Sequence, residues 1–518
     1  MVAPTRLRAI GTAVLWLCTA APATASGPFE PVLIFTPIDR PDAPLQRFLQ
    51  GELGVLRPTY APTFLFAAYR QLSGLGFDPA AQAQILALWN EKLGQGDANE
   101  TAAAAQLGAW NAARAGAAES SDAPRIGLYR DDPIRPVSYL NCAPDAFRSA
   151  ARTLAARIET FGRESAAVRA WLSAQDQVFA NCSGAVPQIP VAAPPDAPLL
   201  VHADRAYQIA AAYFYAGRFA EAEARFGAIT RDPTSPWSRI APYLAARALI
   251  RQATLAEDFG FDAAILRNAE TALQKILGEV ELDEIHPAAE ALLEFVRFRL
   301  HPEERLHELA GALLQERLSP GVAHRLWDYR LLLDPPWINR IQRFDDLTDW
   351  ILTLPDRRPA ALEHALQRWT ETRSFPWRVA ALAKIAPGHP RLAELLAAAE
   401  VPPNHPAAAT VAFYRIRLLS EAGDRRAARL RLDRWRARAP DQLPPAAVNA
   451  FRAQSLALAR NLREFIEAAP RIPVRAGYGD ADVILEPPAD GPATPLARRL
   501  AEGAEWLDLD AVDTINEK

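Results

Sequence analysis

The sequence is poor in the residues on which most protein chemistry depends. Its 518 residues include three cysteines, one methionine and eight histidines, and only four of its 57 basic residues are lysine. It has no GxSxG, Walker, GxGxxG or EF-hand pattern, so the common hydrolase, nucleotide and calcium sites have no signature here. The formal net charge of −4 argues against nucleic acid as a partner. We therefore expect no enzyme activity and no cofactor, and a protein that works by binding.

The histidines do not form a metal-ligand pattern. Four of them precede a proline, which suits the first position of a helix. The densest set of potential ligands is His301, His307, Glu303, Glu304 and Glu308. A spacing of six residues does not place the two imidazoles on one helical face, unlike the i, i+4 zinc pattern. We expect a solvated helix there and no metal.

The N-terminus has the features of an export signal. Two arginines precede an apolar run at residues 9–21, and a small-x-small site follows at 23–25. The run is too short to span a bilayer comfortably. Cys18 follows a leucine, whereas a lipoprotein signal needs a small residue there. We predict a signal peptide over residues 1–25, cleaved after Ala25, and a periplasmic or secreted protein without an integral membrane anchor.

Two cysteines remain after this cleavage, Cys142 and Cys182. Helical patterns lie between them at 145–161 and 164–180, with a break near Gly162. Two antiparallel helices of similar length bring their outer ends together, and both cysteines stand at those ends. An oxidising compartment then favours a disulfide that closes the hairpin. The alternative is a redox-active or metal-binding pair, although no CxxC motif or nearby histidine accompanies it.

A helical hairpin pattern lies near the middle of the chain, at residues 206–229. Apolar residues recur at helical spacing on both sides of Gly217, which stands where the chain leaves the first helix. This stretch resembles the tetratricopeptide repeat (TPR), a helical hairpin of about 34 residues. The matching residues are Tyr213, Gly217, Phe219, Ala222 and Phe226. The departures are Ala206, where a large aromatic residue is usual, and the closing Pro233, one position early.

The resemblance implies an all-α fold, a right-handed superhelical solenoid of degenerate TPR-like hairpins with a partly irregular N-terminal region. A second copy is readable in Ala412, Gly423, Ala428 and Leu432. The predicted segments are the signal peptide 1–25, an N-terminal helical region with a proline-rich lead-in 26–136, the disulfide-closed hairpin 137–183, a proline-rich linker 184–198, the helical array 199–469 and a short C-terminal tail 470–518.

Two clusters in the array have alternative interpretations. The stretch 424–438 carries seven arginines, and Arg425, Arg429 and Arg436 are candidates for a face that binds an anionic partner, such as lipid headgroups, a polyanionic glycan or an acidic protein segment. A solvated helix surface explains the same run. Five tryptophans between residues 327 and 377 either fill the spaces between helices or line a groove for a peptide or sugar.

The sequence thus predicts an exported helical-repeat protein that acts as a protein-binding scaffold or adaptor in the bacterial cell envelope. We expect first-helix residues that face away from the neighbouring hairpin, such as Arg205 and Gln208, to contact a protein or peptide partner. The alternatives are an accessory or enzyme acting on cell-wall glycan and a structural subunit of an envelope complex. The oligomeric state is left open.

Overall fold

The computed structural model describes residues 32–92, 98–117, 125–131, 138–184, 186–255, 260–437, 443–477 and 506–507. Within these ranges the fold is all-α, as predicted, with 22 α-helices and a few strands of two or three residues. Contacts divide the chain into two units, which we describe separately. The predicted signal peptide and the acidic end of the tail lie outside the described residues.

The bounds of the elements follow the chain in order. The strands are β1 (Val32–Ile34), β2 (Tyr129–Asp131), β3 (Ser138–Leu140), β4 (Pro470–Arg471), β5 (Arg475–Gly477) and β6 (Trp506–Leu507). The helices are α1 (Leu45–Leu49), α2 (Pro62–Leu72), α3 (Pro79–Lys92), α4 (Ala98–Ala115), α5 (Pro144–Phe161), α6 (Ala166–Ala180), α7 (Leu199–Tyr215), α8 (Phe219–Thr230), α9 (Ala241–Leu255), α10 (Ala263–Gly278), α11 (His286–Leu300), α12 (Pro302–Leu313), α13 (Val322–Leu332), α14 (Pro335–Ile338), α15 (Asp346–Thr353), α16 (Pro359–Thr372), α17 (Phe375–Lys384), α18 (Leu392–Ala398), α19 (Ala408–Glu421), α20 (Arg425–Arg436), α21 (Pro445–Ala457) and α22 (Leu462–Ala468), and a 3-10 helix covers Val280–Ile285.

The larger unit comprises Leu45–Gly51 and Pro62–Ala380. From α4 to α13, each helix packs against the next one along the chain. This succession of packed helix pairs is compatible with a helical-repeat fold, in which each hairpin buries its apolar face against its neighbours. A small residue allows neighbouring helices to approach closely at Ala222 on α8, which is fully buried. Phe226, one turn later, fills the space beyond it and is 2% exposed.

The turn between α7 and α8 has the geometry that its glycine predicts. Gly217 has a φ of 79°, in the left-handed region that favours glycine. The Arg218 amide donates back to the Tyr213 carbonyl over 2.9 Å, which satisfies one of the free carbonyls at the end of α7. The Arg218 guanidinium also lies over the Tyr213 ring, 4.7 Å from its centroid. Local sequence therefore determines this turn.

The next helix begins later than expected. The helical pattern in the sequence begins at Trp237 and predicts a helix from there, but α9 starts at Ala241. Trp237 instead stacks on Tyr207, with ring centroids 4.2 Å apart, and its indole N–H donates to Asp204 over 2.9 Å. These contacts hold the loop against α7, so the helix starts one turn further along.

The predicted cysteine hairpin is formed by α5 and α6, and the Cys142 and Cys182 sulfurs lie at disulfide distance, with Cα atoms 5.5 Å apart. Asn141 braces the closed end, because its side-chain amide donates to the Asn181 carbonyl over 3.2 Å and to the Cys182 carbonyl over 3.1 Å. The same amide donates over 2.9 Å to the Tyr215 carbonyl, at the end of α7. The hairpin is thereby tied to the end of α7.

A buried ion pair also joins this hairpin to α7. Arg157 on α5 makes two bonds to the Asp204 carboxylate, of 2.5 and 2.8 Å. Asp204 is 2% exposed, and the third bond to its oxygens comes from the Trp237 indole. A buried carboxylate is tolerated when paired and hydrogen-bonded in this way.

The N-terminal helices of this unit pack against helices that come much later in the chain. Helices α2 and α3 contact α13, and α2 also contacts α15. Arg70 on α2 is fully buried and donates to the Leu313 and Gln315 carbonyls over 2.6 and 3.0 Å. It thus satisfies free carbonyls at the end of α12. The sequence pattern predicts a helix that continues to residue 318, but α12 ends at Leu313. Burial lowers the pKa of Arg70 to about 10.

The smaller unit comprises Met1–Pro44, Glu52–Ala61 and Ala381–Lys518. The sequence predicts short strands at residues 32–35 and 481–485. The first is present as β1, and it pairs antiparallel with β5 from the tail. Residues 52–61 are tied to α19, because the Leu56 amide donates to the Thr410 hydroxyl over 2.8 Å and that hydroxyl donates to the Gly54 carbonyl over 3.0 Å. The second predicted strand, 481–485, lies outside the described residues.

The core of this unit lies between α19, α20 and α21. Ile416 and Ala428 are fully buried, and Leu432 is 3% exposed. Gly423, between α19 and α20, has a φ of 81° and therefore repeats the turn geometry of Gly217. None of the helices in the described parts of the chain is long and apolar enough to cross a membrane.

Candidate functional site

The residues predicted to pack the first repeat lie together between α7 and α8. Ala222 and Phe226 are buried, and Tyr213 and Phe219 are half-buried at the edge of the same core. Phe219 meets Phe214 edge-on, with ring centroids 5.8 Å apart. These residues hold two helices together and present no concave surface of their own.

The two residues expected to contact a partner do not form an open surface. Gln208 is 1% exposed, and its side-chain amide donates to the Trp171 carbonyl over 2.9 Å, so this prediction is wrong. Arg205 donates to the Ala170 carbonyl over 2.9 Å and to the Val191 carbonyl, in the proline-rich linker, over 2.7 Å. Helix α6 covers this side of α7, which the repeat pattern alone did not indicate.

The tryptophans are mostly core residues. Trp350, Trp369 and Trp377 are at most 1% exposed, whereas Trp327 and Trp337 are half-buried. The Trp350 and Trp377 indoles donate to the Pro376 carbonyl and to Asp346, over 2.8 and 2.7 Å. Among the two interpretations of this cluster, the structure therefore favours packing between helices.

The densest histidine set is dispersed as well. His301 lies 3.2 Å from a Glu270 oxygen, and His307 lies 3.7 Å from an Asp345 oxygen. In the described part of the chain, no group of three His, Cys, Asp or Glu side chains is close enough to hold a metal ion.

The arginines proposed as an anion-binding face lie on the side of α20 that faces α21 and α22. Arg425 donates to the Ala459 carbonyl over 3.3 Å. Arg429 donates to the Leu458 carbonyl over 2.6 Å and pairs with Glu464 over 3.0 Å. Arg436, which is exposed, shares this side by helical spacing. Two of the three guanidinium groups therefore already have partners within the protein.

A cleft of about 360 Å³ opens on the other side of α20. Its first wall is one face of α19, where residues at i, i+3, i+4 and i+7 line it. These residues are Ala408, Val411, Ala412 and Arg415. The alanines are too short to fill the space in front of α20, and this is why a cleft exists there.

The second wall is formed by Arg431, Arg434 and Trp435 of α20, again at i, i+3 and i+4. The Trp435 ring is held from behind by Phe451 on α21, with centroids 5.3 Å apart. Its indole nitrogen is buried and finds no hydrogen-bond acceptor among the described residues. Glu400, Val401 and Pro403, from the loop after α18, complete the lining.

Positive charge dominates this cleft. Arg415 is only 9% exposed, and one Glu400 oxygen lies 3.0 Å from its guanidinium. Burial, and then the nearby charge of Arg431, lower the pKa of Arg415, while Glu400 acts in the opposite direction. Within the described residues, neither Arg431 nor Arg434 has a carboxylate partner. Three guanidinium groups thus face a single carboxylate.

The cleft can bind a ligand that carries both negative charge and apolar groups. Its volume falls in the range of about 300–1,000 Å³ that is common for ligand pockets. It has no acid–base pair of its own beyond the Glu400–Arg415 contact, so binding is the chemistry that these residues support. The arginines that the sequence predicts as an anion-binding face and the arginines that line this cleft lie on opposite sides of α20.

Fold and cleft together define a helical protein built from packed helix pairs, with a basic cleft in the smaller unit. Comparisons with protein-family models, curated proteins and solved structures gave no match to this chain. The resemblance to the TPR therefore stays a prediction.

Proposed function

We propose that the protein is an exported, TPR-like helical scaffold or adaptor that binds a partner protein in the bacterial cell envelope. The solenoid, its right-handed superhelix and the periplasmic or secreted location are parts of this proposal. The single observation that carries it is the cleft between α19 and α20, where buried and exposed arginines meet a tryptophan and apolar side chains.

Three features support the repeat fold, the compartment and the binding mode in this proposal. The turn glycines Gly217 and Gly423 share one geometry, as expected for repeated hairpins. The paired cysteines Cys142 and Cys182 suit an oxidising compartment. The cleft combines charge with an aromatic side chain, and arginine and tryptophan are the residue types that carry most binding energy at protein interfaces.

Site-specific photo-crosslinking in the living cell tests the proposal. A photo-crosslinking amino acid is placed at position 434, at the cleft, and in a matched variant at position 426, an exposed site on the same helix that does not line the cleft. We expect a protein adduct of defined mass in the envelope fraction from position 434 and none from position 426. Absence of adducts from both positions contradicts a scaffold that binds through this cleft.

The alternative of an accessory or enzyme acting on cell-wall glycan makes a different prediction. Purified protein incubated with isolated peptidoglycan then releases soluble muropeptides, and a binding scaffold releases none. The polar cluster around Asp346, which accepts from Arg368 over 2.6 Å and from Trp377 over 2.7 Å, is the first place to substitute if release is seen. A structural subunit is expected to appear as a stable assembly in native mass spectrometry.

A further inference from the structure

We infer that the α19–α20 cleft binds an acidic segment of a partner protein, and that Glu400 occupies the position of that segment's carboxylate in the free protein. This inference rests on the binding function proposed above and specifies the ligand class of the same site. The argument depends on the charge of the cleft, its apolar half and the exposure of Glu400.

The net positive charge of the cleft favours an anionic ligand. Arg415, Arg431 and Arg434 line it with one carboxylate, that of Glu400, so two positive charges are uncompensated. Arg415 is held in a site that is nine-tenths buried, where the attraction between opposite charges is stronger than in water. An incoming carboxylate near these guanidinium groups forms charge-assisted hydrogen bonds, the stronger class of protein hydrogen bonds.

The apolar half of the cleft favours a peptide. Val401, Pro403, Val411 and Trp435 line it beside the arginines. Inorganic phosphate has no apolar group to bury against these side chains, and a polyanionic glycan offers only the C–H faces of its sugar rings. A membrane surface is too broad to enter a cleft between two helices. An acidic segment with apolar side chains satisfies both halves, because successive residues of an extended peptide point to opposite sides.

Glu400 can be exchanged for a ligand's carboxylate at small cost. Its side chain is 69% exposed, and it follows the last turn of the short helix α18. An exposed glutamate regains full hydration when it moves away, and the buried Arg415 stays paired because the incoming carboxylate takes the place of Glu400. Glu400 therefore acts as a built-in competitor, and a partner's carboxylate must displace it to reach Arg415.

Fluorescence anisotropy tests the inference with two labelled peptides. The probe is a 12-residue peptide that alternates aspartate or glutamate with leucine or phenylalanine, and the control peptide has each acid replaced by its amide. We expect the acidic probe to bind at least about tenfold more tightly than the amide peptide, and added salt to weaken its binding. Equal binding of the two peptides overturns the inference.

Variants then locate the binding. The Arg431→Ala, Arg434→Ala double variant is expected to weaken binding at least about tenfold, since it removes two charged donors. Arg426→Ala, on the same helix but outside the cleft, is the matched control and should bind like the wild type. Glu400→Gln should bind about three- to tenfold more tightly, because the competitor is gone. All four chains must show equal helical circular dichroism. The substituted arginines are exposed, so folding is expected to survive.

Four results overturn the inference, and in each case the photo-crosslinking experiment tests the proposed function separately. Unchanged binding by the double variant, or weaker binding by Glu400→Gln, contradicts the assignment directly. Binding of phosphatidylglycerol vesicles that depends on Arg431 and Arg434, without peptide binding, makes the ligand a lipid headgroup. A chain ending at Leu507 that binds the probe, while the full chain does not, makes the protein's own C-terminal segment the occupant. If the peptide variants contradict the inference but position 434 still gives an adduct in the cell, the partner-binding scaffold remains supported and only the ligand class is wrong.

Discussion

Opening the disulfide between Cys142 and Cys182 is expected to lower the free energy of unfolding of the larger unit by about 4 kcal/mol. The two cysteines are separated by 40 residues. Closing a loop of that length removes about 13 cal/mol/K of entropy from the unfolded chain in the loop-closure model, or about 4 kcal/mol at 25 °C. The Asn141 bonds at the same end of the hairpin do not depend on the disulfide, so the native packing should persist.

The measurement compares three samples in guanidinium chloride unfolding. These are the oxidised wild type, the wild type reduced before unfolding, and a Cys142→Ala, Cys182→Ala double variant. Because both cysteines are fully buried, the double variant also loses packing around each sulfur, and it should be slightly less stable than the reduced wild type. Hydrogen exchange within α5 and α6 reports whether the loss is centred on the hairpin.

Reduction that changes the free energy of unfolding by less than about 1 kcal/mol would refute the loop-entropy reasoning, whose expected range for one disulfide is about 2–4 kcal/mol. A loss seen only in the alanine variant would assign the effect to packing. A loss near 4 kcal/mol in both samples means that the protein is much less stable in a reducing compartment, as expected for an exported protein.

Three further perturbations follow from the structure. Gly217→Ala should destabilise the α7–α8 turn by about 1 kcal/mol in thermal unfolding, since the residue is held at a φ of 79°. Asp204→Asn should cost about 3–5 kcal/mol in urea unfolding, because it leaves Arg157, whose side chain is 12% exposed, without its counter-charge. Bonds from Arg460 and then Arg429 hold the pKa of Glu464 near about 2, below its usual 4.5. The stability that it contributes is therefore present above 4.5 and is lost as the pH falls toward 2, so hydrogen exchange in α22 should accelerate in that interval.

Each of these has a matched control. A Cβ at Gly217 meets no atom closer than 3.8 Å, so a loss much larger than 1 kcal/mol would point to contacts that the turn does not show. An Arg157→Met, Asp204→Leu double variant should recover most of the loss of Asp204→Asn, since apolar replacements remove both charges together. Glu464→Gln should abolish the pH dependence in α22, and its persistence would assign that dependence to another group.

Much of the local structure could be predicted because its causes are local. The strand β1 and both helices of the cysteine hairpin lie within two residues of their predicted bounds. Gly217 and Gly423 both lie at turns, as predicted, since glycine adopts the left-handed backbone conformation at the lowest energetic cost. These features depend on helical periodicity and turn chemistry, both of which are determined by residues close together in the sequence.

The candidate site could be predicted only in part. The arginine-rich helix was identified from composition, but its two sides could not be distinguished, because Arg425 and Arg429 on one side and Arg431 and Arg434 on the other are equally basic. Which side is open depends on the placement of α21 and α22, because two carbonyls in the turn between these helices and Glu464 on α22 accept from the first pair. The short side chain of Ala412 then opens the cleft before the second pair.

The sequence by itself determined the all-α class, the two helices of the cysteine hairpin and the pairing of their cysteines, because these follow from short-range patterns and from the position of cysteines at helix ends. The tertiary structure alone decided which polar residues are open to a ligand. Gln208 is buried by α6, and Arg70 and Tyr69 on α2 reach partners more than 240 residues away, at Leu313 and Asp346. Contacts between distant segments leave no periodic trace in the sequence, and they decide where a binding surface remains.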